Sequence, residues 1–448
     1  MRSFLTAAVL VLTLVTPSYA DPSAEKYSTL EHTGNQTATL TSQSTEGVLV
    51  EDSMCKLRED SFYRNQDAKS PMGFRGNATA FPFNPTALPI TGTINVAFIY
   101  VDWTDLRGTK ADYQYYKNQL KMFKDFYWMA SENKLAMNTR ISKSWFRIPG
   151  SYKDFTLTVD QEAQYGSAPR KQSFYDAAVA ASDSETDFSN VDIVFFGIPR
   201  SKSVFLHGGP HEFNWNNNGS LNTAEKKIFD TATAGDWFLK NASFEPPWVY
   251  YVHETGHMIG IPHQSDERSK DGSIVERSMP MGGYDIMGNQ GGATRTISTW
   301  LRWLAGWLGD DQVLCTTESN IKDETFQLYP INTVKGAIES LVIKLSDSSA
   351  VVVESRRFDP KFDRKTGNSR DGLLVYTVNA KEGSAEGNMR LLSPRNIRKY
   401  LFEPTWRSGY ELDPVFFQGD EVIVGGLTIK AQKIGSKFDT VRVTRNGR

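Results

Sequence analysis

Three histidines and one glutamate lie close together in residues 253–263, HETGHMIGIPH, in a chain of 448 residues that contains six histidines. Because residues four apart lie on the same face of a helix, His253 and His257 can direct their imidazoles at one metal ion. Glu254 would then lie beside the ion, where its carboxylate can take a proton from a water whose pKa the ion lowers to roughly 7. The types and spacing of these residues predict a metal site with a general base next to it.

The residues that follow supply a third ligand. Gly260 can adopt the positive φ that ends a helix, and Pro262 stiffens the returning chain, so His263 can turn back towards the other two histidines. Three protein ligands leave one coordination position open for water and substrate, which is typical of a catalytic zinc site rather than a structural one. We therefore expect one catalytic Zn²⁺ bound by His253, His257 and His263.

The same stretch resembles the zinc signature of the metzincin metallopeptidases, HExxHxxGxxH. Residues 284–288, YDIMG, resemble the methionine-containing turn that lies under the zinc in that clan, which implies that Met287 is the supporting methionine. Where several metzincins place a tyrosine two residues after this methionine, the chain has Asn289.

Three further segments are similar to bacterial secreted peptidases of the immune inhibitor A type. They are 126–135 (FYWMASENKL), 351–357 (VVVESRR) and 371–376 (DGLLVY). Members of that type often carry Asp as the third ligand, where this chain has His263. The resemblance implies a zinc-dependent endopeptidase in which Glu254 activates the attacking water.

The resemblance also implies a fold. A metzincin-like catalytic domain of the α/β (α+β) class has a twisted mixed sheet and two long helices, the second of which carries the zinc motif. Substrate peptides in this clan bind as an extra strand along an exposed sheet edge. Residues 203–206 lie in the right part of the chain to form that edge or its rim.

The N-terminus predicts export. Arg2 precedes an apolar run from Phe4 to Val15, and Ser18 and Ala20 are small residues at the two positions that a signal peptidase reads. We expect cleavage after Ala20 and a secreted protein, extracellular or periplasmic; an uncleaved anchor is the alternative. The net charge of −2 gives no electrostatic case for nucleic acid or an anionic membrane as partner. We expect a monomer that acts on a protein or peptide substrate.

The length of the chain exceeds what one hydrophobic core usually holds, so several units are expected. We predict a signal peptide at 1–20, a flexible N-terminal pro-segment and linker at 21–89, a catalytic domain at 90–315 and a β-rich, sandwich-like domain at 316–448. Residues 21–47 are rich in Ser, Thr, Gln and Glu, whereas short alternating runs separated by turn residues follow Cys315.

Hydrophobic periodicity predicts the elements of the two larger domains. Predicted strands are 94–103, 135–148, 191–198, 324–328, 340–345, 350–354, 373–378, 421–429 and 440–444, and predicted helices are 112–131, 173–181, 296–308 and the zinc-motif helix opened by Pro246 and Pro247.

The two cysteines, Cys55 and Cys315, allow three interpretations. A disulfide is favoured, because the chain is predicted to fold in an oxidising compartment. The alternatives are a cysteine switch, in which the Cys55 thiolate binds the zinc until proteolysis removes it, and a pair of free thiols. The loop from Asp359 to Asp371 holds several carboxylates, and a Ca²⁺ site there is weighed against an ordinary solvated loop.

Two other classes of function compete with the peptidase. The chain could be a secreted binding or adhesion protein in which the zincin domain is vestigial, although an intact Glu254 argues against a decayed site. It could also be a structural protein that uses zinc for stability alone. An open fourth coordination position distinguishes a catalytic site from that last alternative.

Overall fold

The structure is a computed structural model that describes residues 48–58, 79–83, 86–155, 168–200, 209–212, 220–235, 238–239, 242–266, 279–292, 294–364, 371–384, 386–395 and 414–447. The predicted signal peptide and residues 21–47 of the predicted pro-segment lie outside these ranges. Within the described part of the chain, no helix combines the length and the apolar character that crossing a membrane requires.

The described elements alternate between helices and strands and then become almost entirely strands. The helices are α1 (Asp52–Cys55), α2 (Lys110–Ala130), α3 (Ala168–Ser182), α4 (Pro247–Met258) and α5 (Thr299–Leu304). The strands are β1 (Gly92–Asp102), β2 (Leu135–Ile141), β3 (Phe146–Arg147), β4 (Ile193–Gly197), β5 (Gly209–Glu212), β6 (Leu221–Asn222), β7 (Lys227–Ile228), β8 (Asp230–Thr233), β9 (Val313–Thr317), β10 (Asp323–Leu328), β11 (Ser340–Lys344), β12 (Ser349–Arg356), β13 (Gly372–Asn379), β14 (Met389–Leu391), β15 (Glu421–Val424), β16 (Leu427–Ile434) and β17 (Asp439–Arg445).

A mixed sheet of six strands forms the first part of the fold, in the order β2-β1-β4-β8-β5, with β3 also paired to β1. Strand β1 is parallel to both β2 and β4, and β4 is parallel to β8, whereas β5 is antiparallel to β8. The long amphipathic helix α2 supplies the crossover that two adjacent parallel strands require. Its first turn is fixed by a capping box between Thr109 and Asp112.

Two further sheets contain the remaining long strands. One has five strands in the order β14-β13-β12-β11-β9, and the other has four antiparallel strands in the order β10-β17-β16-β15. Side chains of the five-stranded sheet alternate between two cores. Val342, Val352 and Leu374 face the core that contains α2, α4 and α5, whereas Val351 and Val353 face the four-stranded sheet. Both faces of this sheet are therefore buried, and it is the layer between the helices and the outer sheet.

The predicted mixture of helices with parallel and antiparallel strands is thus present. The predicted boundary after residue 315 falls inside β9, and residues on both sides of it share one core. All described residues belong to one compact unit, Thr45–Arg448.

Element predictions differ from the structure in several places. The run 135–148, predicted as one strand, is interrupted at 142–145 and forms β2 and the short β3, both parallel to β1. The helix predicted over 173–181 begins earlier, at Ala168. The run 421–429, predicted as one strand, is a hairpin in which Gly425 and Gly426, both with positive φ, join β15 to β16. Two consecutive residues of positive φ make the tight turn that suits twisted antiparallel strands. The helix predicted over 296–308 is shorter, because it begins at Thr299 and ends at Leu304, close to the positive φ of Gly306.

The described parts of the predicted pro-segment and linker pack against the rest of the chain. The predicted disulfide is present between Cys55 and Cys315, whose Cα atoms are 5.8 Å apart. Val50 donates its backbone N–H to the Cys315 carbonyl at 3.0 Å, and Phe81 packs edge-on against Trp300 and Trp303. Because Cys55 is bonded to Cys315, its sulfur is not a ligand of the histidine site, and the cysteine-switch interpretation is wrong.

Candidate metal centre

Helix α4 carries His253, Glu254 and His257. Pro246 is its N-cap residue and Pro247 its first helical residue, where a missing backbone N–H costs nothing. All residues of the helix are buried, and Tyr127 of helix α2 donates its hydroxyl to the Val252 carbonyl at 2.7 Å. The helix is therefore fixed on every side, which fixes the direction of the side chains that it carries.

The first two histidines approach each other closely on this helix. The Nε2 atoms of His253 and His257 are 3.1 Å apart, and the two ring planes are almost perpendicular, at 88°. The spacing of four residues therefore places both rings on one face, as the sequence predicts.

The third histidine returns to the same place after the helix ends. Gly260 has a φ of 95°, and Ile261 donates its backbone N–H to the Gly256 carbonyl at 2.8 Å, so the chain turns sharply there. The His263 ring then lies with its centroid 3.8 Å from that of His257 and 5.9 Å from that of His253.

The three histidines form a buried cluster. One ligand nitrogen from each ring lies within 4.8 Å of the other two, and among the residues that the structure describes this is the one group of histidine, cysteine and acidic side chains with the arrangement to hold a metal ion. His257 is 2% exposed, and His253 and His263 are each 7% exposed.

The hydrogen bonds of the rings test whether the cluster fits a cation. His253 Nδ1 lies 2.7 Å from the Ile286 carbonyl oxygen, and His257 Nδ1 lies 2.9 Å from the Ile261 carbonyl oxygen. A carbonyl oxygen only accepts, so both Nδ1 atoms carry the proton and both Nε2 atoms present a lone pair. Two lone pairs that face each other at 3.1 Å repel, and either a metal ion or a proton on one ring removes that repulsion. The residues therefore fit a metal ion, with the arrangement in which backbone carbonyls orient the ligand rings.

The turn that contains Met287 lies directly against helix α4. Its residue Ile286 provides the carbonyl that orients His253, and a Cβ added at Gly256 would overlap Sδ and Cε of Met287. Asp285 fixes the turn, because its side chain accepts backbone N–H groups of Met287 at 2.8 Å and of Ser298 at 2.9 Å. Burial raises the pKa of Asp285 to about 6, although these hydrogen bonds and the charge of Arg356 lower it.

Glu254 lies one residue from the first ligand and is 8% exposed. Burial raises the pKa of Tyr127 well above its ordinary value, and the nearby Glu254 carboxylate raises it further. Burial is also the main cause of the raised pKa of Tyr175, to which Glu254 adds. Both phenols are therefore neutral near pH 7, and the carboxylate lies in a mostly buried environment.

Some of the residues that orient the site are not among those that the sequence predicts. These include the acid Asp285, which lies in the recognised turn, and Ser384, whose Oγ accepts the His263 backbone N–H at 3.0 Å. An aspartate two residues before the methionine of the turn is a signal that could have been read as an orienting group. Ser384 lies 121 residues after His263, and no local pattern indicates the contact.

The acidic loop considered for Ca²⁺ uses its described carboxylates for other contacts. Asp363 accepts backbone N–H groups of Arg295 at 2.6 Å and of Asp359 at 3.0 Å, and Asp371 accepts that of Phe358 at 2.9 Å. Residues 365–370 of this loop lie outside the described residues, so a Ca²⁺ site there stays a prediction.

The fold and the site together define a mixed α/β protein with a buried cluster of three histidines that could hold a metal ion. No protein-family model matches the sequence, and a search among curated proteins gave no match. The functional assignment therefore depends on the chemistry of the site itself.

Proposed function

We propose that this protein is a secreted zinc endopeptidase of the metzincin type. The observation that carries the proposal is the pair of Nε2 atoms of His253 and His257, which face each other at 3.1 Å beside a buried acid, Glu254. Both Nδ1 atoms contact backbone carbonyls, so both Nε2 atoms direct lone pairs towards one point, where a metal ion can bind.

Zinc suits this set of ligands better than the common hard cations. Mg²⁺ and Ca²⁺ prefer oxygen ligands, whereas three neutral imidazoles with a fourth position left open are typical of catalytic zinc. The disulfide between Cys55 and Cys315 supports an oxidising compartment, in agreement with the predicted signal peptide.

In the proposed hydrolysis, Glu254 transfers the proton and two backbone carbonyls orient the histidine rings. When bound, a zinc ion supplies a Lewis acid for the scissile carbonyl and lowers the pKa of water at its open position. Glu254 takes a proton from the attacking water while the water oxygen bonds to the carbonyl carbon. Glu254 then passes this proton to the amine nitrogen as the C–N bond breaks. The carbonyls of Ile286 and Ile261 hold the two helical rings in one orientation throughout.

The sheet offers an edge for an extended peptide. Strand β5 lies at the end of the six-stranded sheet, antiparallel to β8, among the strands that the structure describes. An edge strand presents unpaired backbone groups, so a substrate can add as a further strand. The rim predicted at 203–206 lies outside the described residues.

The proposal is tested with the purified protein, a peptide library and mass spectrometry. We expect cleavage that a chelator stops and added Zn²⁺ restores. Glu254→Gln, which keeps the size of the side chain but removes the base, should bind one equivalent of zinc and lose activity by at least about 100-fold, because a general base typically contributes that much or more.

The matched control is Glu225→Gln, at an exposed position between β6 and β7. This variant should cleave like the wild type. A Glu254→Gln variant with full activity would refute the mechanism, and wild-type protein that binds no zinc would refute the metal site. A protein that binds zinc but cleaves no peptide would instead favour the structural or adhesion alternatives.

A further inference from the structure

The third ligand, His263, does not lie on a helix, whereas the other two do. His253 and His257 are on one buried helix, whereas His263 follows the turn at Gly260 and precedes residues 267–278, which lie outside the described residues. A ligand on a connecting segment needs contacts from elsewhere to hold it within the tolerance of a metal site.

These contacts come from the loop between β13 and β14, more than a hundred residues later. Ser384 accepts the His263 backbone N–H at 3.0 Å, and Gly387 donates its backbone N–H to the Ser265 carbonyl at 3.0 Å. Asp266 forms an ion pair with Arg390 in β14. Contacts at His263, Ser265 and Asp266 therefore hold this segment against the loop between β13 and β14 and the start of β14.

The described residues of this loop, 380–384 and 386–388, are held by hydrogen bonds within the loop. Asn388 donates its side-chain amide to the Gly383 carbonyl at 2.9 Å, and Gly383 donates its backbone N–H to the Glu386 carboxylate at 2.6 Å. Ser384 is 4% exposed and Asn388 is 1% exposed. The loop can therefore act as a fixed support for His263.

We infer that Ser384 is a positioning residue for the third metal ligand, so that the C-terminal β-rich part of the chain completes the metal site. This inference rests on the proposed metal site and adds to it. Ser384 acts through the backbone of His263, because its hydroxyl holds the segment that carries the imidazole. Loss of the hydroxyl should leave the fold intact and loosen one ligand of three.

The experiment measures metal affinity rather than activity. Metal-free protein is titrated with Zn²⁺ in competition with a chromophoric chelator, and Co²⁺ is used as a spectroscopic probe of the ligand geometry. Ser384→Ala should weaken Zn²⁺ binding by about 10-fold or more, as the loss of an orienting group does in other metal sites, and should change the Co²⁺ absorption spectrum. Circular dichroism and thermal unfolding of the metal-free protein check that the fold is retained.

Ser142→Ala is the matched control. Ser142 Oγ also accepts a backbone N–H at 3.0 Å, that of Tyr100, away from the histidines. This variant loses the same kind of hydrogen bond, so its Zn²⁺ affinity and Co²⁺ spectrum should equal those of the wild type.

A double-mutant cycle with His263→Ala decides whether Ser384→Ala changes Zn²⁺ affinity by displacing His263. If Ser384 positions His263, Ser384→Ala has no further effect on metal affinity once the imidazole is gone. An equal loss in both backgrounds, or a wild-type affinity in Ser384→Ala, overturns the inference while the metal site stands. Wild-type protein that binds neither ion overturns the metal site, and the inference with it.

Discussion

The buried carboxyl of Asp230, on strand β8, makes the stability of the protein depend on pH. Burial and, to a smaller degree, the neighbouring carboxylate of Asp192 raise its pKa from 3.8 to about 7. Between these two pKa values the folded state binds more protons than the unfolded state. The stability that the protonated carboxyl contributes is therefore present below about pH 4 and is lost as the pH rises towards 7.

Asp230→Asn tests this effect, because the amide stays neutral at every pH. From about pH 5 to about pH 8, wild-type protein should lose about 2–3 kcal/mol of unfolding free energy that the variant keeps, since one pKa unit corresponds to about 1.4 kcal/mol. Urea unfolding at a series of pH values measures both curves.

Asp187→Asn serves as the control at an exposed position. Hydrogen bonds from Ser189 lower the pKa of Asp187, so the contribution of Asp187 to stability changes with pH in the opposite direction. Asp187→Asn should therefore not reduce the loss of unfolding free energy above pH 5. Parallel curves for wild type and Asp230→Asn would contradict the raised pKa.

At the scale of elements, the sequence predicts the helices and strands whose hydrophobic periodicity lies within neighbouring residues. The apolar run at 94–103 and the helical spacing at 112–131 correspond to β1 and α2 within two residues at each end. The histidine spacing and the flexible Gly260 placed three rings together, because a helix and the turn after it are determined by nearby residues.

Elements that depend on distant partners were not predictable in the same way. Strand β9 contains Cys315, after which the sequence predicts a domain boundary, and its pairing with β11 is parallel and non-local. The hairpin at Gly425 and Gly426 was missed although two adjacent glycines are a turn signal, because the alternation of apolar residues continues on both sides of the turn.

The contact between helix α4 and the turn that contains Met287 gives a prediction at this scale. Gly256→Ala alone adds a methyl group where Met287 Sδ and Cε lie, at a buried position of helix α4. Overpacking costs about 1–3 kcal/mol, whereas alanine in place of glycine in a helix stabilises by about 1 kcal/mol. We expect the variant to be less stable than the wild type.

The sign of this effect should reverse when the methionine is shortened. Met287→Ala by itself leaves a cavity and costs about 2–5 kcal/mol. In that background the added methyl group fills space, so Gly256→Ala should stabilise by about 1 kcal/mol. Unfolding of the metal-free proteins measures the four variants, and equal effects of Gly256→Ala in both backgrounds would mean that the two residues do not touch.

At the scale of the whole molecule, the site depends on parts of the chain that are far apart in sequence. The five-stranded sheet is buried between the helices and the outer sheet, and it brings Arg356 within 3.1 Å of the Tyr284 carbonyl at the start of the methionine turn. The C-terminal strands therefore contribute to the core around the metal ligands, and no periodicity within the motif could indicate this.

The disulfide between Cys55 and Cys315 joins the N-terminal residues to this same sheet across 260 positions of the chain. A cross-link that closes so long a loop removes much freedom from the unfolded chain, and loss of such a bond typically costs about 2–5 kcal/mol. Replacing both cysteines by alanine should lower the unfolding free energy by this amount. The three metal ligands, which lie on other segments, should still bind one equivalent of zinc. Mass spectrometry after alkylation under denaturing, non-reducing conditions checks the premise, since two alkylated thiols in wild-type protein would contradict the pairing, and an equally stable double variant would contradict its contribution.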